Sequence, residues 1–198
     1  LDILLQFCTN VGAEPRLAGP LRFREMERLN LAFMEPRKGQ RPVLIFPDSG
    51  QRNKKWNGYG QLTALLIREG GRKVVWAGNN YLPGRESFPD GTFLNLTGNT
   101  SLTSLPALLH KADWIISNDS GPMHLAAAMG LKTIGLFGPT DPRQYGPYPL
   151  MSPTNYAIQA PVGELNLLPA KEVFALFNRI ETALPKAQAR AAQLAPVG

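Results

Sequence analysis

The chain reads as an α/β protein, a doubly wound parallel sheet with crossover helices on both faces. Three observations predict it. From residue 42 onward, short apolar runs alternate with helical patterns, as βα units do. The runs are continuous and rich in β-branched and aromatic residues, which suits strands covered on both sides. A 43% hydrophobic content in 198 residues supplies one sizeable core.

Residues 1–41 read as a linker with covering helices. Two short helical stretches flank the break AEPRLAGP, and in the second Phe23, Met26, Leu29, Phe33 and Met34 keep near-helical spacing until Pro36 ends it. Residues 42–184 carry the α/β rhythm, with strands expected at PVLIF (42–46), KVVWA (73–77), TFLNL (92–96), DWIIS (113–117), KTIGLF (132–137) and NYAIQ (155–159). Helical patterns fall at 57–69, 102–111, 120–129 and 169–184. Ser101 and Pro169 suit helix starts, and Gly70 and Gly130 sit where C-terminal glycines belong. Residues 185–198 are of low complexity and are expected to be a flexible tail.

Composition narrows the chemistry. No apolar run approaches the roughly 20 residues of a membrane helix, and the opening LDILLQFC lacks the basic flank of a secretory signal. A soluble, cytoplasmic protein is expected. The single Cys8 forbids an internal disulfide, and with two histidines it makes a structural zinc site improbable, so no metal and no cofactor are expected. The net charge of +6 favours an anionic partner. Basic residues are spread along the chain without an aromatic-interleaved stripe, which speaks against nucleic acid and for a phosphorylated small molecule.

In doubly wound folds ligands bind beyond the carboxyl ends of the strands. The loops there read PDSGQRNKKW, SNDSGPMH and GPTDPRQYGPYP. A serine between strand and helix invites comparison with a nucleophile elbow, but Asn118 and Pro122 stand where that turn needs glycines. His110 precedes Ser120, and His124 is one turn along the same helix, so no triad order fits. A helix mouth fits better. Ser120 can cap the helix, Gly121 admits a close approach to the backbone, and Pro122 occupies an early position where a missing N–H costs nothing. The free amides and the helix dipole then favour a phosphate. Helical side chains lean toward the N-terminus, which carries His124 to the rim; spacing alone leaves a packed or capping histidine equally open. Lys54 or Lys55 can reach the same anion, although a solvated surface pair is the commoner role. No P-loop and no G-x-G-x-x-G is present.

Taken together, KKW at 54–56, DSGPMHLAAA at 119–128, FGPTDP at 137–142 and GPY at 146–148 resemble the C-terminal domain of glycosyltransferase family 9, the ADP-heptose:lipopolysaccharide heptosyltransferases. The resemblance covers residues 42 to about 184 and implies the Rossmann-like C-terminal half of a GT-B enzyme, holding a nucleotide-sugar donor. It implies inverting transfer of heptose or a related sugar from an ADP-sugar, with ADP-heptose the expected donor, to a lipopolysaccharide-core glycolipid. The full enzyme would then be compatible with peripheral association at a membrane. On the same resemblance Lys54 holds the donor phosphates with His124 and the amides around Ser120 and Gly121, and Ser49 matches a donor-contacting hydroxyl. Asp119 orders the loop or touches the sugar, and Thr140, with Asp141, lines the sugar side.

Two departures stand out. Ser120 replaces the threonine frequent in the family, which keeps the hydroxyl. In GNNYLPGRESF, where a ribose-binding acid is expected, Glu86 is the only glutamate, in an unsettled register. No second α/β run precedes residue 42, so the acceptor site and the activating carboxylate are assigned to a further N-terminal domain, and no catalytic residue is identified here. A non-catalytic nucleotide-sugar binding module, or a GT-B enzyme using UDP-sugars, remains the alternative.

Overall fold

A computed structural model describes residues 32–36, 40–84, 87–150 and 152–194. Six parallel strands form one sheet: β1 Val43–Phe46, β2 Val74–Gly78, β3 Phe93–Thr97, β4 Trp114–Asn118, β5 Thr133–Phe137 and β6 Asn155–Gln159, in the order β3-β2-β1-β4-β5-β6. All six lie at the expected runs. Val43 pairs with Val74 on one side and Trp114 on the other, which fixes the register at the centre of the sheet.

The period of two in a strand sorts the apolar residues into two cores. Val43, Ile45, Trp114, Ile116, Ile134 and Leu136 face a layer made by α1 (Tyr59–Arg68) and α5 (Ala170–Leu194), packing on Leu62, Leu66, Val173 and Phe177. Leu44, Phe46, Val75, Ala77 and Ile115 face the opposite layer of α2 (Leu105–Lys111) and α3 (Gly121–Ala128), with Leu108, Leu109 and Ala126. A single turn, α4 (Pro142–Tyr145), follows β5. Burial on both faces thus explains the continuous apolar runs of β1, β2, β4 and β5, whereas the edge strands β3 and β6 are only partly buried, since each has a neighbour on one side alone. On β5, a side chain at Gly135 would stand 2.6 Å from the sulfur of Met123, so the missing Cβ is what lets α3 seat on the sheet.

Several boundaries differ from expectation. The helix expected from 102 begins at Leu105 with Ser104 as its N-cap residue, because the Ser101 hydroxyl accepts the Ser104 N–H at 3.1 Å and holds a preceding turn. After α1 the left-handed residue is Gly71 (φ 62°) rather than Gly70, whereas Gly130 (φ 72°) closes α3 as expected. The last helix runs to Leu194, past the expected end at 184, through a segment rich in Ala, Gln, Lys and Arg, all good helix formers. Most of the expected covering helices, with Phe23, Met26 and Leu29, fall outside the described residues. The short 3-10 turn Ala32–Met34 is seen, and Met34 is buried in the α2–α3 core.

At the amino end of the sheet, Arg72 is nearly buried and pairs with Asp113 and Glu181, donates to the Arg41 carbonyl and lies over the Phe177 ring at 5.7 Å. Glu181 also accepts from the Trp114 indole at 3.2 Å. This cluster straps α5 to the floor of the sheet. Burial opposes ionisation of Asp113, but hydrogen bonds and charge from Lys132 and Arg72 outweigh it and hold the carboxyl below its usual 3.8. Its stabilisation is therefore complete above about pH 4 and is lost as pH falls through the lowered folded-state value. Arg72→Met should lower unfolding free energy by about 2–3 kcal/mol, at or below the bottom of the range for breaking a buried pair because both carboxylates still touch solvent. Urea titrations near neutrality measure this, and Asp113→Asn should flatten the acid limb of the stability profile.

Candidate functional site

The direction of winding reverses between β1 and β4. The chain leaves β1 toward the α1 layer and leaves β4 toward the α3 layer, so neither crossover covers the space between their carboxyl ends. A cleft of about 620 Å³ opens there. Its walls come from the segments after β1 (Asp48, Ser49, Gly50), after β2 (Asn79, Asn80), before α2 (Ser101, Leu102) and from the start of α3 (Ser120, Gly121, Pro122). Phe46, Ala77, Leu105 and Leu125 add an apolar lining. The volume is that of a small-molecule site. Asp48 is its one charged lining residue. Burial opposes its ionisation, yet hydrogen bonds from Lys55, Asn80 and the Ser49 backbone, with the Lys55 charge, hold the carboxyl below its usual 3.8.

Beside the cleft, where α3 begins, lies a compact polar cluster. Asp119 is 7% exposed and its Oδ2 accepts from Lys54 Nζ at 2.5 Å and from the Thr140 hydroxyl at 2.9 Å. His124 Nε2 stands 3.7 Å from the other carboxylate oxygen, with half of its side chain in solvent. Lys54 closes a 3-10 turn, Arg52–Lys54, which projects its side chain back across the sheet to β4. Three loops after three strands therefore meet at one carboxylate. Among the described residues the amides of Ser120 and Gly121 donate to no protein acceptor. These donors and the Lys54 ammonium make a short positive edge at the cleft's mouth, suited to an oxyanion.

Each site residue expected from sequence has a definite place. Ser49, Ser120 and Gly121 line the cleft; Lys54, Asp119, His124 and Thr140 form the cluster next to it. Ser49 is nearly buried and its hydroxyl accepts the Gln51 N–H at 3.3 Å, bracing the loop. One detail is corrected. Ser120 is the N-cap residue of α3 by position but makes no side-chain cap, because its Oγ bonds Ser117 Oγ at 2.9 Å. Asp141 caps α4 through the Arg143 N–H at 2.8 Å and pairs with the Arg143 guanidinium at 2.7 Å. Glu86 lies outside the described residues. Sequence reasoning missed Asp48 and Asn80, joined at 2.6 Å, and the buried bond from Tyr59 to Asn118 at 2.6 Å. Burial raises the Tyr59 hydroxyl well above its usual 10.0, so it stays a donor. Asp48 and Asn80 had only their position on strand-end loops as a sequence signal, and Tyr59, at the start of α1, and Asn118, at the end of β4, had none.

The hydroxyl pairing of Ser120 predicts two outcomes. Ser120→Ala should cost less than about 0.5 kcal/mol in a urea titration, under the ~1 kcal/mol typical of a lost cap. With no base aimed at it, Ser120 should resist stoichiometric labelling by a serine-directed phosphonate, read by mass spectrometry.

Comparison with known proteins places this architecture. Residues 15–159 match the sequence profile of glycosyltransferase family 9 (heptosyltransferase). Lipopolysaccharide heptosyltransferase 2 of Salmonella typhimurium is 30% identical over 140 residues, 65% of this chain and 40% of that protein. Lipooligosaccharide heptosyltransferase 2 of Haemophilus influenzae is 32% identical over 120 residues, 55% of this chain and 34% of that protein. Among solved structures, E. coli heptosyltransferase WaaC with ADP superposes with a TM-score of 0.62 at 24% identity, covering 73% of this chain and 46% of that one. The family 9 glycosyl transferase of Veillonella parvula superposes with a TM-score of 0.64 at 18% identity, covering 90% and 59%. These matches span less than two thirds of the relatives' own lengths. The order of the strands, the cleft where their winding reverses, and a profile match across most of the chain lead to one assignment: the chain belongs to glycosyltransferase family 9.

Proposed function

We propose that this chain is the donor-binding half of an inverting glycosyltransferase that moves heptose, or a related sugar, from an ADP-sugar to a lipopolysaccharide-core acceptor. The observation that carries the reading is the Lys54–Asp119–Thr140 cluster set against unbonded amides at the rim of the cleft. A nucleoside fits the largely apolar interior, with Asp48 its one charged lining group, and the diphosphate then reaches the Ser120 and Gly121 amides at the rim and Lys54 beside it. His124 lies close enough to join them. Thr140 and Asp119 face the sugar side. The names of the heptosyltransferase relatives, and the ADP in one solved relative, favour this donor class.

In the reaction an acceptor oxygen bonds to the anomeric carbon as the bond from that carbon to the phosphate oxygen breaks. The electron pair leaves with the nucleoside diphosphate, and the acceptor proton passes to a base outside the residues assigned here. Negative charge on the leaving oxygen grows through the transition state, so a fixed ammonium and amides stabilise it more than the bound donor. Asp119 keeps Lys54 extended toward the mouth before the donor arrives, which lowers the reorganisation needed on binding. The acceptor site and the base belong to a second domain, and the glycolipid would bring the full enzyme to a membrane surface. No helix among the described residues is long and apolar enough to cross one.

Titration calorimetry with ADP tests the donor site. Hydrogen bonds to charged groups contribute about 1.5–3 kcal/mol, so Lys54→Ala should weaken ADP about ten- to hundredfold. Arg68→Ala, an exposed change in the last turn of α1 at the far end of the sheet, should leave ADP affinity unchanged. Equal affinities for all three proteins would remove Lys54 from the site.

A further inference from the structure

The segment that carries Lys54 is tied to the rest of the fold by bonds the donor does not touch. Two residues on, Trp56 is buried and its indole N–H donates to the Leu168 carbonyl at 3.0 Å. The Asn57 amide donates to Asn166 Oδ1 at 2.8 Å. Tyr59 opens α1 and meets the Trp56 ring edge-on at 4.9 Å, and its hydroxyl donates to Asn118 Oδ1 at 2.6 Å. Asn118 is wholly buried at the end of β4, next to Asp119. The two segments are thus joined by adjacent rungs, Tyr59 to Asn118 and Lys54 to Asp119.

The two rungs differ in kind. Lys54 and Asp119 lie at the edge of solvent and must accommodate a ligand, whereas Tyr59 and Asn118 are sealed from water. Asn118 Nδ2 has no partner among the described residues, so the Tyr59 hydroxyl is the one side-chain bond that orients this carboxamide. The Asn118 backbone carbonyl accepts the Ser117 hydroxyl at 2.9 Å, and Ser117 in turn holds Ser120. The backbone here stays paired to β5, with the Asp119 N–H donating to the Leu136 carbonyl at 3.2 Å, so what the buried rung fixes is the setting of the side chains at this corner, the Asp119 carboxylate among them.

We infer that Tyr59 is a positioning residue for phosphate binding: by holding Asn118 it sets the Asp119 carboxylate, and through it the Lys54 ammonium, at the distance the donor diphosphate requires. The inference rests on the donor-site reading above. It separates two parts of the ligand. The nucleoside sits against Phe46, Ala77, Leu105 and Leu125, none of which depends on the rung, while the phosphates depend on it.

The test uses the whole chain with ADP and adenosine as parallel probes, read by calorimetry or by chemical-shift titration. Tyr59→Phe keeps the ring against Trp56 and removes only the hydroxyl. It should weaken ADP about five- to tenfold, the range for one lost hydrogen bond, and leave adenosine within about twofold. In the Lys54→Ala background the same change should produce no further loss of ADP, because the rung acts through Lys54. Asn118→Ala removes the acceptor from the other side and should repeat the pattern, so either variant carries the test if the other fails to fold. Unchanged ADP affinity, equal loss of both ligands, or losses that multiply with those of Lys54→Ala would each overturn the inference. Wild-type protein that binds neither probe would overturn the donor-site reading itself, and this inference with it.

Discussion

The reversal of winding between β1 and β4 is the constraint on which the site depends. Two neighbouring strands that send the chain to opposite faces leave a gap no helix can close, and the loops at that gap must find partners for their polar groups in each other or in a ligand. Here they do both. Asp119 gathers Lys54 and Thr140 from the loops on either side, while the amides that begin α3 remain unspent at the rim. The cleft and the cluster are consequences of topology before they are consequences of any one side chain.

Much of the fold was legible in the sequence because burial on both faces leaves a strong mark. Runs such as Val43 to Phe46 and Trp114 to Ile116 have no polar alternation to confuse with a helix, and each became a strand. Helix starts were less legible. Ser101 and Ser104 both look like caps, and only the bond between them shows that the first makes a turn and the second begins the helix. Gly70 and Gly71 are indistinguishable until the backbone assigns the left-handed conformation to one. Arg72 reads as a surface cation, and nothing local announces that it lies under α5, paired with a residue 109 positions away.

The candidate site was legible where its parts sit on strand-end loops with distinctive composition, as Lys54, Ser120 and Thr140 do. What escaped was contact between distant positions. Tyr59 and Asn118 stand 59 residues apart, and their types suit a core aromatic and a loop amide. Asp48 and Asn80 belong to different loops that meet only because β1 and β2 are neighbours. The Ser120 hydroxyl was assigned to the helix it begins because that is the local option, and Ser117 on the preceding strand outcompeted it.

The Lys54–Asp119 pair has a consequence for the kinetics of capture. Opposite charges 2.5 Å apart present a dipole to solvent rather than a free positive charge, and the field of a dipole decays faster with distance than that of an ion. Although the chain carries a net +6, the rim itself exerts little long-range pull on an approaching anion. On the proposed donor-site reading, a phosphate would be captured at contact, by amides and by an ammonium that shares its donors between carboxylate and ligand. Association at such a rim is only weakly accelerated by dilution of salt, and discrimination among anions falls to shape, to the fit of the group that enters the cleft behind the phosphate.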